Sequence, residues 1–452
     1  MIVILWTMES ILMNSKKSVL IVIVSGLLFA FHGDIGTQQL SPNELKEDVS
    51  VLRKALEKYH PGLYWYTSED QFNLAWDSLN SHLDKPMSDI QFFGQLLPVV
   101  AKVKCAHTFF FPSEDIFIRG TRFPLNLKFI DGKGYIMPDS LNRYKIPKGS
   151  ELLTINGQSL NEIIDLLLPN LEAQGGNLGW KYVILENDFQ NYYYYKIDQS
   201  NSFEIEYIDR ATKQRMHVNV VGSAEEALRR HWKNWYPKET GAPLKLKYFT
   251  DPDVVLITIK SFWKGRYKQY HQDLDKLIAQ YFEEIHRRRI QNLIIDLRGN
   301  EGGNNPERVY SYIARQNDKN TDGSNKIITH NKNLFHGQVV VLTNERSISA
   351  QETFVTIFKN NKRGLTIGQP TPGSYDGLCG GNKRRVLLPN SHFEIHIPLH
   401  ASIRTYISTN NYHKGEGIPP DIKVDKRIDD LLSGKDLALE LALNKIKNGQ
   451  TK

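Results

Sequence analysis

Apolar residues recur at Leu45, Val49, Leu52, Leu56 and Tyr59, a three-and-four spacing that predicts a helix with one buried face. Ser41-Pro42-Asn43-Glu44 stand before it as a capping box with proline at the first helical position, and His60-Pro61-Gly62 end it. The same spacing predicts helices over 72–83 and from 90 to about 103, so residues 41–120 read as an N-terminal helical domain. From 123 to 222 the pattern shortens to strands. Segments 125–130 and 135–137 flank Asp131-Gly132-Lys133-Gly134, a predicted hairpin. A strand ending at Ile155, the turn Asn156-Gly157 and a helix through Leu168 follow. The tyrosine run 192–195 is expected to be strand and core. Residues 223–247 form a basic, tryptophan-containing connector.

Beyond it, strand and helix alternate. Strands are predicted over 254–259, 293–296, 339–342 and 393–399. One helical face runs through Leu274, Leu277, Ile278, Tyr281, Phe282 and Ile285; a helix covers 350–358 and another closes the chain over 437–446. Alternation of this kind predicts an α/β core holding a buried sheet, spanning 248–426, with a C-terminal helix over 427–452.

Composition narrows the class. A chain of 452 residues, 40% hydrophobic and 24% charged, is neither disordered nor polytopic and is long enough for roughly two to four domains. The net charge of +7 is spread widely. Its densest run, His286-Arg287-Arg288-Arg289, ends a predicted helix, where cations complement the dipole; no nucleic-acid partner is implied. Lys16-Lys17 precede an apolar run over 19–31, too short to span a bilayer comfortably. Residues 1–33 therefore read as a secretory signal, with an uncleaved anchor as the alternative and the only route to a membrane. Export to a periplasmic or extracellular space is expected. The two cysteines, Cys105 and Cys379, fit no zinc spacing. A disulfide between them and two free buried thiols both remain open.

Two stretches carry the chemistry, each beyond the end of a buried strand, where open α/β sheets place their sites. One is Asp296-Leu297-Arg298-Gly299-Asn300-Glu301-Gly302-Gly303-Asn304, whose glycines let backbone N–H groups come close to a ligand. The other is Thr343-Asn344-Glu345-Arg346-Ser347-Ile348-Ser349-Ala350-Gln351-Glu352. It puts Ser349 at a helix N-terminus, where free N–H groups and the dipole stabilise an anion. Glu352 lies three residues on, so Ser349 as a plain helix cap is the competing reading.

Taken together, these stretches resemble the C-terminal-processing (tail-specific) serine peptidase family, which pairs an aspartate-leucine-arginine, asparagine, glycine-glycine loop with a serine-alanine-x-glutamate turn. Ile367-Gly368, Thr371-x-Gly373 and Gly417-Ile418-Pro419-Pro420-Asp421-Ile422-x-Val424 follow in the family's order. The segment before them, with its strand, Asn-Gly turn and helix, resembles part of a PDZ domain. The resemblance implies a multi-domain α/β protein: an N-terminal helical cap, a PDZ-like β domain over 123–222 that captures peptides, and a ClpP/crotonase-like peptidase core.

It implies Ser349 as nucleophile, an oxyanion hole from Ala350 with Gly302 or Gly303, peptide or protein substrates, and neither metal nor cofactor. The lysine base of many members is missing, because Thr371-Pro372-Gly373 runs into Ser374. Val103-Lys104-Cys105-Ala106-His107-Thr108 is similar to the histidine stretch of the tricorn-like branch instead, which makes His107 the base. Ala106 stands where that branch has a serine. The third relay residue is expected at Glu416, with Asp376 as the lesser choice. Related domains also bind small lipophilic ligands without cleaving anything, and that is the alternative function.

Overall fold

The computed structural model describes residues 37–137, 143–224, 241–322, 324, 326–404 and 412–450. The segment read as signal or anchor, and most of the connector, lie outside these residues.

Helix α1 (Pro42–Tyr59) opens with the predicted box, the Ser41 side chain accepting the Glu44 N–H and Glu44 accepting the Ser41 N–H. Boxes at Ser68/Gln71 and Ser88/Gln91 likewise start α2 (Glu69–Asn80) and α3 (Asp89–Ala101). The first of these boxes moves the start of α2 ahead of the apolar spacing, to 69 rather than 72. After α3 the chain turns through Cys105 and His107 into the short strand β1 (Phe109–Phe111).

An antiparallel sheet follows in the order β2-β3-β4-β5-β6: Asn126–Ile130, Lys133–Met137, Ser150–Ile155, Ser202–Ile208 and Arg215–Val221. Asn156 and Gly157, both at positive φ, make the predicted turn before α4 (Leu160–Leu167). The tyrosine run is core, but it is helical rather than strand: it ends α5 (Leu178–Lys196) with all four rings buried. A helix end buried on all sides shows no apolar stripe, so periodicity had nothing to detect.

The larger sheet runs β7-β8-β9-β10-β11-β14: Leu244–Thr250, Asp253–Ile259, Asn292–Asp296, Gln338–Thr343, Leu365–Gly368 and Ile422–Lys423. All pairs are parallel except the β7–β8 hairpin. Alternate residues sort to its two faces. Val255, Ile257, Leu293, Ile295, Val339 and Val341 pack with α6 (Leu274–Arg287) and α7 (Ala350–Asn360). Leu256, Ile294, Val340, Leu342 and Ile367 meet Ala438 and Ala442 of α8 (Leu437–Lys447). Both faces are covered, which is why the strands read as continuous apolar runs.

Two long strands, β12 (Gly377–Leu387) and β13 (Glu394–Ile403), leave this sheet and pair with β1 in a sheet of three. Ile395 and Ile397 of β13, with Leu388 and Phe393 of the turn before it, are buried in one core with α1, α3 and the antiparallel sheet. Phe393 sits 5.8 Å from Phe92, 5.1 Å from Phe93 and 6.1 Å from Phe110, measured between ring centres. The helices, the antiparallel sheet and this hairpin therefore share a single hydrophobic interior. No described helix is long and apolar enough to cross a membrane.

Candidate active site

Strands β9 and β10 are neighbours and end side by side, so the two loops after them meet. Asn300 holds the first loop: its Nδ2 donates to the Ile259 carbonyl at 2.8 Å and its Oδ1 accepts the Gly302 N–H at 2.8 Å. Asn344 holds the second, accepting from Gly299 N–H, Arg346 N–H and the Ser347 hydroxyl. The Ile348 N–H crosses to the Asn300 carbonyl at 2.9 Å and stitches the loops together. Arg298 faces away from the junction. It donates in pairs to Asp296 and to Asp436, which fixes the loop to the start of α8. The aspartate and arginine of the motif are thus scaffold.

Ser349 has φ +69° and ψ −115°, a backbone region a non-glycine residue enters only at a cost of about 1–3 kcal/mol. Its hydroxyl makes no hydrogen bond among the described residues, to the helix or to anything else. Glu352 does not complete a capping box either. The cap reading of Ser349 therefore fails on geometry. The N–H of Ala350, first residue of α7, has no partner among the described residues, as expected for an orphan donor at a helix start.

Gly302 lies directly against the serine: a Cβ there would fall 2.6 Å from Ser349 Cβ and 3.3 Å from Oγ. Its own N–H is spent on Asn300, which removes Gly302 as a donor to substrate. The next N–H, that of Gly303, has no partner among the described residues. Gly303 sits at φ +131°, and a side chain there would overlap the Phe262–Trp263 backbone. Of the two glycines, Gly303 is the one with a free donor.

Beneath the serine, Glu352 of the motif is paired with Arg404, which no sequence signal marked. Arg404 is buried; its guanidinium donates to the Ser374 carbonyl at 3.0 Å and the Ser349 carbonyl at 3.5 Å, and stands 3.8 Å from the Glu352 carboxylate. Burial pushes Glu352 up to about 7, against the pull of Arg404. Glu352 is packed on Gly373, where a side chain would collide with it. This explains the glycine of the Thr371-x-Gly373 motif as a matter of space.

His107 is buried, and its Nδ1 has no partner among the described residues. Burial lowers it to about 4; Cys105 opposes the shift, while Lys383 and Arg404 add to it. The ring is neutral at ordinary pH and so able to accept a proton. Gly380 of β12 leaves room for it, its missing Cβ lying 3.7 Å from Nε2. His107 and Ser349 are brought into one neighbourhood through Arg404 and the start of β12, yet they are not hydrogen-bonded. The local signal for this contact was present in Gly380-Gly381: paired glycines inside a strand mark a bulge or a close approach, and the β12–β13 register does shift between Gly380 and Lys383.

Neither carboxylate expected to complete a relay meets His107. Glu416 is exposed, and its Oε2 accepts the His413 N–H of its own loop. Asp376 accepts from the Gly415 N–H and the Tyr412 hydroxyl, holding the same loop. Cys105 and Cys379 are both buried and unbonded. A cleft of about 870 Å³ opens elsewhere, between Phe129–Gly132, the start of α5 and the loop of Glu416, and does not include Ser349.

Residues 253–424 match the family described as Peptidase family S41. A protein described as a tricorn-like protease C-terminal subunit, from Sulfurisphaera tokodaii, is 26% identical over 262 residues, covering 54% of this chain and 26% of that protein. Carboxyl-terminal-processing peptidase 2 of Arabidopsis thaliana chloroplasts is 29% identical over 119 residues, 23% of this chain and 22% of that one. The chain thus aligns with about a quarter of the length of these curated relatives. The crystal structure of mature CPAF superposes with a TM-score of 0.66 at 13% identity, covering 90% of this chain and 96% of the other. That likeness establishes a shared mixed α/β fold with several sheets. The matched segment holds both loops described above, and over residues 253–424 the chain is similar to peptidase family S41.

Proposed function

We propose that the chain is an exported serine peptidase acting on peptides or on unfolded, C-terminally exposed proteins. Ser349 is the nucleophile, His107 its base, and the N–H groups of Ala350 and Gly303 the oxyanion hole. One observation carries this reading. Ser349 is held in a strained backbone conformation with its hydroxyl unspent, beside two unpartnered N–H donors, whereas a structural cap would be relaxed and bonded. In the reaction, Ser349 Oγ attacks the scissile carbonyl as its proton passes to the neutral His107 imidazole. Negative charge on the carbonyl oxygen is met by the two N–H groups, and the dipole of α7 adds to them. His107 then returns the proton to the leaving amine, and water repeats the sequence on the acyl-enzyme. Oγ and the imidazole are not hydrogen-bonded here, and such bonds often tighten only in the complex.

The strand, Asn-Gly turn and helix of 150–167 support a PDZ-like role for residues 123–222 in holding the peptide. Lys16-Lys17 and the apolar run after them support export. A fluorophosphonate tests the core of the proposal without knowledge of the substrate, since it reacts only with an activated serine. The wild-type protein should label on Ser349, and Ser349→Ala should give no label. Folded wild-type protein that stays unlabelled would leave the ligand-binding reading in its place.

A further inference from the structure

Next to the proposed base lies a second group of reactive side chains. His60 follows α1, Cys105 precedes His107 by two residues, and Cys379 sits on β12 beside Gly380. All three are buried, and their imidazole nitrogen and sulfur atoms lie within 4.8 Å of one another. Gly62 makes room for them: a Cβ at that position would come within 2.8 Å of Cys379 Sγ.

One imidazole and two thiols have the make-up of a soft-metal site, but the state of the ring argues for other chemistry. The Gly62 N–H donates to His60 Nδ1 at 3.2 Å, so Nδ1 is the ring's acceptor and Nε2 is the nitrogen left to donate. Nε2 is buried without a hydrogen-bond partner. A protonated nitrogen among sulfurs is a donor to a thiolate, not a ligand to a metal. Burial works against ionising Cys105, yet contacts from the Cys379 thiol and His60 pull it well below its ordinary range. Cys379 is pushed up by the same contact and by burial. A stabilised thiolate beside a second, protonated thiol is the arrangement that thiol–disulfide exchange uses.

We propose that Cys105 and Cys379 form a reversible disulfide that governs the position of His107, the bridged form being the working one. The Cys105 thiolate attacks one sulfur of an external disulfide, such as glutathione disulfide or the disulfide of an exported oxidase. A mixed disulfide forms and one thiolate leaves, taking up a proton. Cys379 loses its proton and attacks the Cys105 sulfur, closing the internal bond and releasing the second thiol. Two electrons pass from the protein to the oxidant, and two external thiols are produced for each bridge. The structure shows the dithiol form, in which no hydrogen bond joins Ser349 Oγ and the His107 ring. Closing sulfurs from within 4.8 Å to a bond of about 2.05 Å draws the 105–107 segment onto β12, where Gly380 already faces the ring. Burial of both sulfurs makes the exchange slow, on the scale of minutes to hours when uncatalysed.

The control of activity rests on the assignment of His107 as base; the disulfide itself does not. The test uses the unaltered full-length chain, held in glutathione buffers of oxidising or reducing ratio, quenched in acid, unfolded and alkylated. Under the oxidising ratio the chain should lose two hydrogens in mass and take up no alkylating reagent, and dithiothreitol should restore two reactive thiols. His60→Gln should form the bridge about tenfold more slowly, having lost the donor to the attacking thiolate. Two alkylated thiols under the oxidising ratio would overturn the proposal, and so would stoichiometric zinc retained on both cysteines. In parallel, the oxidised chain should label with fluorophosphonate about tenfold faster than the reduced one, the scale set by small displacements of a catalytic group. Equal rates with the bridge present would overturn the control of His107. A bridge with no labelling in either state would instead remove the peptidase reading and leave the disulfide standing.

Discussion

Ser349 stands at the end of a buried parallel strand, and the residues that shape its turn come from two adjacent strand ends, 297–303 and 344–350. His107 has no such frame. Its neighbours are Cys105, Gly380, Lys383 and Arg404, and its segment is held through a three-residue strand against β13 and through the packing of Phe393 on Phe92, Phe93 and Phe110. The proposed nucleophile is fixed by short-range backbone geometry backed by two covered sheet faces. The proposed base is fixed by long-range packing in a different hydrophobic core. On the proposed assignment, the attacking group is rigid and the proton acceptor adjustable, which is where regulation by a neighbouring disulfide would act.

The largest effect is expected on the rigid side. Gly303→Ala places a Cβ into the Phe262–Trp263 backbone at φ +131°, so the loop must shift and its N–H with it. Fluorophosphonate labelling should fall by about 100- to 1,000-fold, the usual loss of an oxyanion donor. The measurement is the second-order labelling rate, with circular dichroism to confirm that the protein still folds. A loss below about tenfold in folded protein would remove Gly303 from the hole.

This contrast also explains what was legible in the sequence. The elements around Ser349 were readable because each depends on neighbours in the chain: strands from apolar runs, helices from apolar spacing, loop chemistry from Asn300 and the glycines. His107 was found through a resemblance, since nothing local distinguishes it from a packed histidine. Arg404 was missed altogether. It follows an exposed strand end, and its burial against Ser349 and Glu352 is set by a chain reversal some fifty residues long, which no periodicity records. The tyrosines of α5 were placed in the core but in the wrong element, because burial on all sides erases the helical stripe. Gly302 and Gly303 looked equivalent in sequence; only the hydrogen bond to Asn300 separates them.

A smaller effect is expected on the adjustable side. His107→Ala should slow labelling about a hundredfold, the low end for losing a general base, because a group lowered to about 4 is a weak proton acceptor. The sign of the pH dependence follows from that value. The base works unprotonated, and lowering its ionisation extends the neutral form toward acid. Labelling should therefore be level between pH 6 and 8 and fall only as the pH drops through about 4. A rise centred between about 6 and 7, where an unperturbed imidazole titrates, would show that His107 is solvated in the working state and that its segment moves on the way to it. A rise only above about pH 8 would transfer the role of base to a lysine.

The smallest effect is expected at Glu416. If a third residue oriented the base, as the family resemblance suggests, replacing its carboxylate would cost about 10,000-fold, as loss of the aspartate does in a serine triad. Glu416 is exposed and, among the described residues, accepts only the His413 N–H of its own loop, an interaction that an amide oxygen reproduces. Glu416→Gln should therefore leave labelling and turnover within about twofold of wild type, the range of ordinary surface changes. The same result at several substrate concentrations would show that neither binding nor chemistry depends on the charge. A loss of 100-fold or more would mean that the loop of 412–417 swings onto His107 when substrate binds, since Nδ1 of that histidine has no partner among the described residues. The base would then be set by a loop that closes over it, and the adjustable half of the site would include residues that lie outside its present shell.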